Sequence, residues 1–337
     1  MVKVAVFDTK PFTKSAFTAC DPKGISFTFF EHRLTPDTVA SAIGFKVVCC
    51  FVNDMVNAAV VERLKDLGVK LIALRCAGYN NVDLAACDKH GISVVRVPAY
   101  SPHSVAEHGV ALMLALNRHI TRAHARVREG NFSLEGLVGF EMHGKTAGII
   151  GTGRIGKCAA EMLLGFGCRI LAHDPAPKAD LAKRSGVAYT DLDTLFRQSD
   201  IISLYAPLVP ATRYLINDGV IAKMKRGVML INTSRGALVD TRALIRGLKN
   251  GRIGSAGLDV YEEESEYFFE DYSDAVIADD VLARLLTFRN VLITSHQAFL
   301  TKEALASIAQ TTVENIQEFL EGKREKELTN GVCVRCG

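Results

Sequence analysis

The chain has 337 residues, more than one core usually supports, so two domains are the first expectation. Its 40 basic and 37 acidic side chains leave a net charge of +3, with no basic stripe or basic-aromatic interleaving, which argues against nucleic acid as a partner. No apolar run approaches the ~20 residues of a bilayer span, and Met1-Val-Lys-Val-Ala-Val-Phe7-Asp8 reads as a strand rather than a signal peptide, so a soluble cytoplasmic protein is expected.

Most of the nine cysteines sit inside apolar patterns (Cys49, Cys50, Cys76, Cys158, Cys168), where a reduced thiol acts as a small hydrophobe. Cys333-Val-Arg-Cys336 lacks the second ligand pair of a zinc site and reads as a mobile tail, so no metal is expected.

From Val2 to about Arg96, β-rich runs (Val2–Phe7, Ser26–Phe30, Val47–Val52, Lys70–Leu74, Ser93–Val95) alternate with helical segments, the pattern of a parallel sheet covered by helices. The second helical pattern is expected from Thr35-Pro36-Asp37. Arg75-Cys-Ala77-Gly78-Tyr79-Asn80-Asn81-Val-Asp83 is a polar turn at a strand's carboxyl end, where open sheets hold ligands. Ser101 and Pro102 then open a helix to about Asn117, apolar on most faces and so buried on several sides. The arm from Thr121 to His143 is less regular, of the kind that clasps a partner subunit, so a homodimer or homotetramer is expected.

Thr146-Ala-Gly-Ile-Ile-Gly151-Thr-Gly153-Arg154-Ile155-Gly156 runs an apolar strand into G-x-G-x-x-G and then a helix, Lys157 to Phe166. Gly151 suits the tight turn, Gly153 the backbone approach to a pyrophosphate, and Gly156 the close packing of helix on sheet. A second strand, Cys168 to Ala172, leads to Asp174, an acid placed to bond an adenosine ribose; this argues for NAD over NADP. Further strands follow at Ile201–Leu204, Val228–Ile231, Gly254–Leu258 and Val291–Ile293, with helices from Asp240 and from Glu303 to Leu320.

The expected fold is therefore α/β, with two Rossmann-like doubly wound parallel-sheet domains. Residues 1–99 begin a substrate domain, 100–297 form an inserted nucleotide domain, and 298–337 return to the first.

Three residues past strand ends of the second sheet suit hydride chemistry. Arg235 offers a planar fork for a carboxylate, His296 a proton donor near neutrality, and Glu264 an acid to hold the imidazole. Taken singly, Arg235 reads equally as a surface cation and Glu264 as part of a solvated acidic run. Glu107-His108 is a weaker pair, since adjacent helix residues do not face one another; His108 reads as a packing or polar-interface residue.

Ala99-Tyr100-Ser-Pro-His-Ser-Val-Ala-Glu107-His108, the glycine fingerprint, Asn232-Thr-Ser-Arg235-Gly236-Ala-Leu-Val-Asp240, Gly257-Leu-Asp259-Val-Tyr261-Glu and His296-Gln-Ala-Phe299 resemble the D-specific 2-hydroxyacid dehydrogenases. Glu264-Ser-Glu-Tyr267-Phe268-Phe269-Glu270-Asp271 resembles their fermentative, NAD-dependent D-lactate dehydrogenase subgroup, and the likeness runs from about Val2 to Leu320. L-lactate dehydrogenases match poorly, because their fingerprint opens the chain.

The resemblance implies reversible reduction of pyruvate by NADH, with Arg235 on the carboxylate, His296 as acid/base and Glu264 paired to it. It implies an NAD site lined by Gly151, Gly153, Arg154, Ile155, Gly156, Asp174, Ala206, Pro207, Thr212, Thr233, Ser234 and Asp259. It also implies backbone N–H donors at Ala77 and Gly78 for the substrate carboxylate, and a pocket shaped by Phe51, Tyr100 and Phe299. A dehydrogenase for another D-2-hydroxy acid, or a NAD-sensing binding protein of the same fold, are the alternatives.

Overall fold

The structure, a computed structural model, describes residues 1–20, 22, 24–324 and 327–334. The chain forms two compact units: Met1–Ser101 with Leu300–Gly337, and Pro102–Phe299.

The first unit holds a five-stranded parallel sheet, in the order β2-β1-β3-β4-β5, from β1 (Val2–Val6), β2 (Ile25–Phe29), β3 (Val47–Cys50), β4 (Leu71–Leu74) and β5 (Ser93–Val95). β3 and β4 are buried at every residue, as their unbroken Val-Val-Cys-Cys and Leu-Ile-Ala-Leu runs require of strands covered on both faces. The helix Lys302–Leu320 covers one face, packing Ala309, Val313, Ile316 and Phe319 in one core with Val4, Val6, Val47 and Leu71. Thr301 caps it by accepting from Ala304 N–H.

The second unit holds a seven-stranded parallel sheet in the order β12-β11-β10-β9-β6-β7-β8. Its strands are β6 (Thr146–Ile150), β7 (Arg169–His173), β8 (Val187–Tyr189), β9 (Ile201–Leu204), β10 (Val228–Asn232), β11 (Ile253–Leu258) and β12 (Val291–Ile293). The order reverses between β6 and β9, so a crevice opens at the carboxyl ends of those two strands. The helix Pro102–Asn117 is buried along Val110, Leu112, Met113 and Leu116, in one core with Ile149, Leu163, Met229 and Ile231.

Three features depart from the sequence reading. After Thr35 the chain makes a turn and the short 3-10 helix Val39–Ala42 rather than an α-helix, because the Thr38 hydroxyl bonds back to Arg33 O and Gly44 breaks the path at φ +82°. The edge strand β8 has three residues and too little apolar pattern to stand out. Leu328 to Val332, to which the sequence reading gave no element, is fastened to the sheet: Leu328 is buried, Gly331 bridges antiparallel to Val95, and Val332 N–H donates to Val94 O at 2.9 Å. Cys333 is disulfide-bonded, and Cys336 lies outside the described residues. Among the described residues seven cysteines are free, and no helix is long and apolar enough to cross a membrane.

Beyond β3 the turn is built on Asp54, which is fully buried and accepts N–H bonds from Leu34 and Phe51 at 2.6 Å each. Burial pushes its carboxyl from 3.8 up to about 6, against the pull of Arg75 and those two N–H groups. A raised folded-state pKa means that stability from this group is full below the unfolded value and is lost as pH rises through about 6. Between about pH 7.5 and pH 5 the unmutated protein should therefore gain roughly 1 kcal/mol relative to Asp54→Asn. Urea unfolding of both proteins at the two pH values measures the gap, and a constant gap would rule the titration out.

Candidate active site

Gly151 sits at φ +91°, and a Cβ there would lie 2.6 Å from Tyr205 O, so this turn admits only glycine. Gly156 packs against the Gly151 carbonyl, while a Cβ on Gly153 would meet nothing. That open space lies at the N-terminus of the helix Arg154–Gly165, where Arg154 is exposed and Ile155 half-buried beside unpaired backbone N–H groups, a setting for a pyrophosphate. Asp174 follows β7 and accepts from Thr152 N–H at 2.6 Å and Ala176 N–H at 2.8 Å. Burial raises its pKa, but these bonds outweigh it and hold the carboxyl below the usual range, so it is charged where a ribose would arrive.

Ala206 and Pro207 follow β9, and Thr212 closes their loop by donating to Pro207 O at 2.6 Å. Thr233 and Ser234 follow β10. The Ser234 hydroxyl is spent on Leu204 O, whereas Thr233 Oγ1 is buried with no partner among the described residues. The open glycine cradle, the ionised acid and this orphan hydroxyl fit a dinucleotide along one sheet edge.

Arg235 projects from the same turn, which Asn232 ties by donating to Arg235 O at 2.9 Å and accepting from Ser234 N–H at 3.1 Å. Among the described residues its guanidinium has one acceptor, Ser234 O at 2.7 Å, and no carboxylate. Gly236 lies against the Tyr261 backbone so closely that a Cβ would collide, which brings the Arg235 turn beside the loop carrying Glu264.

His296 Nδ1 is 2.7 Å from Glu264 Oε1, and Glu264 Oε2 accepts from Tyr261 N–H at 2.9 Å. With Nδ1 so engaged, Nε2 is the ring nitrogen left for another molecule. Both side chains are about four-fifths buried. The His296 backbone is left-handed at φ +47°, a strained state for this residue that the surroundings must enforce. Asp259 enforces it. This acid is fully buried, and its carboxylate accepts from Thr294 Oγ1 at 2.6 Å and from the N–H groups of Gln297 and Ala298 at 2.9 Å each. Its own carbonyl accepts from His296 N–H at 2.7 Å. Asp259 is therefore committed to protein donors.

The structure thus brings Arg235, Glu264 and His296 onto adjacent strand ends β10, β11 and β12. Phe299 follows three residues after His296 and is buried. Phe51, Ala77, Gly78 and Tyr100 belong to the first unit, the first three directly beyond its strands β3 and β4. Phe51 is buried with the Arg75 guanidinium 4.7 Å from its ring centre.

Sequence reasoning gave His108 to packing or a polar interface without naming its partners, and it gave Phe269 no place in the site. His108 Nε2 lies 3.0 Å from Thr294 Oγ1 and 3.3 Å from Asp259 Oδ1, joining the network from 186 positions away in the chain. Phe269, itself left-handed at φ +71°, stands its ring 6.1 Å from the His296 ring. No local spacing announces either contact. Among the described residues no group of three or more His, Cys, Asp or Glu could hold a metal ion.

Comparison with known proteins gives the family. Residues 110–298 match the family model described as D-isomer specific 2-hydroxyacid dehydrogenase, NAD binding domain. The chain is 53% identical to the D-lactate dehydrogenase of Escherichia coli K12 over 323 residues, 96% of this chain and 98% of that one. It superposes on the pyruvate reductase of Chlamydomonas reinhardtii with a TM-score of 0.92 at 46% identity, covering 98% of both chains. The Aquifex aeolicus D-lactate dehydrogenase, solved with NAD and lactic acid, gives 0.83 at 34% identity, covering 95% of this chain and 96% of that one. The crevice, its glycine cradle and these likenesses have one meaning: the chain is an NAD-dependent oxidoreductase of the D-isomer specific 2-hydroxyacid dehydrogenase family.

Proposed function

We propose that the protein interconverts pyruvate and D-lactate, and the observation that carries this is the 2.7 Å His296–Glu264 pair on the strand end next to a guanidinium without a carboxylate partner. Bound NADH supplies the hydride to the keto carbon. His296 Nε2 gives its proton to the keto oxygen as negative charge develops there, while Glu264, fixed by Tyr261 N–H, holds the ring and faces the imidazolium. Arg235 takes the substrate carboxylate in a two-pronged grip and orients the keto group. The N–H groups of Ala77 and Gly78 are the other carboxylate donors; among the described residues neither makes a hydrogen bond. Phe51, Tyr100 and Phe299 limit the pocket to a small side chain. Arg154, Ile155, Asp174, Ala206, Pro207, Thr212, Thr233 and Ser234 hold the cofactor. The names of the relatives in E. coli and Chlamydomonas support pyruvate as substrate.

The protein is proposed to act as a homo-oligomer through its arm. The helix Ile120–Arg128 buries none of its residues, and beyond it Phe132, Leu134 and Val138 are 74%, 80% and 89% exposed. Apolar side chains so exposed and so close in sequence suit a second copy of the chain.

NADH oxidation with pyruvate, followed by chiral analysis of the product, tests the reading. D-lactate is the expected product; faster turnover of bulkier 2-keto acids would move the substrate, and NADH binding with no turnover of any keto acid would leave a NAD-sensing protein. His296→Gln should lower kcat by ~10²–10⁴. Arg235→Lys should raise KM for pyruvate and lower kcat while leaving NADH affinity nearly unchanged; full activity in that variant would reassign Arg235 to structure.

NADH should be strongly preferred over NADPH, because Asp174 repels a 2′-phosphate. Equal kcat/KM for the two cofactors would contradict it. Replacing Phe132 and Leu134 together by Ser should cost about 2 kcal/mol or more of association if they anchor the interface. Sedimentation equilibrium of both proteins reads this directly, and an unchanged mass distribution would place the interface elsewhere.

A further inference from the structure

Arg96 leaves β5 and binds the turn between Arg75 and Asp83 from below. Its Nη1 donates to the Ala77 carbonyl at 2.8 Å, and its guanidinium lies 5.3 Å from the Tyr79 ring centre. The Arg96 backbone is itself fastened on both sides. Its N–H donates to Asn330 O at 3.1 Å, and its carbonyl accepts from Asn315 Nδ2 at 2.9 Å. Asn330 Nδ2 in turn donates to Asn315 Oδ1 at 2.8 Å, and Thr329 N–H to Glu318 Oε2 at 2.9 Å. The edge strand, the long helix Lys302–Leu320 and the terminal segment therefore converge on one arginine.

A peptide unit is planar and trans, so the Ala77 carbonyl and the Gly78 N–H point in opposite directions from the same plane. Whatever holds that carbonyl also aims that N–H. A cation on the oxygen further polarises the unit and makes its N–H a stronger donor. The next carbonyl, Gly78 O, is held in its turn by Cys76 Sγ at 3.2 Å.

We infer that Arg96 is a positioning residue for the substrate: its bond to the Ala77 carbonyl aims the Gly78 N–H at the substrate carboxylate, and the terminal segment Leu328 to Val332 keeps Arg96 in place. The inference rests on the proposed role of the Ala77 and Gly78 amides. It gives the terminal segment a part in substrate binding.

Three full-length variants test it. Arg96→Met keeps an unbranched stem and loses the donor, Arg96→Lys restores a cationic donor, and Val332→Pro removes the N–H that fastens the terminal segment to Val94. A lost hydrogen bond to a charged group corresponds to about 10- to 100-fold in affinity. Arg96→Met should raise KM for pyruvate by that order with KM for NADH unchanged; Arg96→Lys should recover most of the loss, and Val332→Pro should show a smaller rise of the same kind. Hydrogen exchange of a peptide spanning residues 75–83 should quicken in Arg96→Met while the Gly151–Gly156 turn stays as it was. An unchanged KM for pyruvate, or an equal rise for NADH, overturns the inference. If the unmutated protein reduces no 2-keto acid, the proposed function fails first, and exchange still judges the hold on the turn: unchanged exchange sinks it independently.

Discussion

Asp259 has no exposure to solvent, and a carboxylate in that position is tolerated only when its charge is answered by donors. Here the donors are the Thr294 hydroxyl and two successive backbone N–H groups, Gln297 and Ala298, so the chain after β12 is wound around the acid. That winding forces His296 into left-handed backbone, and the strain is held because releasing it would strand a buried charge. The imidazole is delivered to Glu264 as a consequence. The His296–Glu264 geometry in this unit thus depends on a residue whose own oxygens are committed to the protein, with His108 reinforcing it from a helix far away in sequence.

The nucleotide side of the same sheet follows a different constraint, the close approach of backbone to backbone. Gly151 and Gly156 are sites where a methyl group has no room, whereas Gly153 faces open space. Excluding side chains at two positions positions the turn, and leaving space at the third lets a phosphate reach the helix N-terminus. Asp174 adds a negative charge to this edge, and the N–H bonds that keep it ionised also fix where it stands. Arg235 joins the two halves of the edge: its turn shares β10 with Thr233 and abuts the Tyr261 backbone that holds Glu264.

In the first unit, polar side chains buried or half-buried beyond the strands hold turns. Asp54 gathers Leu34 and Phe51, Arg75 lies over Phe51 and donates to Asp8 O, and Arg96 takes the Ala77 carbonyl. Each satisfies backbone groups that a sheet leaves unpaired where its strands end, and each thereby chooses which N–H groups stay unpaired.

Two parallel sheets, the strand-turn-helix around Gly151 and the place of Arg235, Glu264 and His296 just past strand ends were legible in the sequence, because each is written locally. Unbroken apolar runs mark strands buried on both faces, glycine spacing marks a turn that only glycine can make, and a residue just past a strand end has its place fixed by the strand. Tertiary structure alone decided the rest. The segment before Cys333 shows no element in the sequence because a short antiparallel pairing with β5 carries no periodicity. The pattern at Thr35 reads as a helix because nothing local reveals that Thr38 will bond back to Arg33. Asp259, His108 and Thr294 meet only after the six strands β6 to β11 and the helices between them have folded, and contacts of that range are set by packing, which no window of sequence contains.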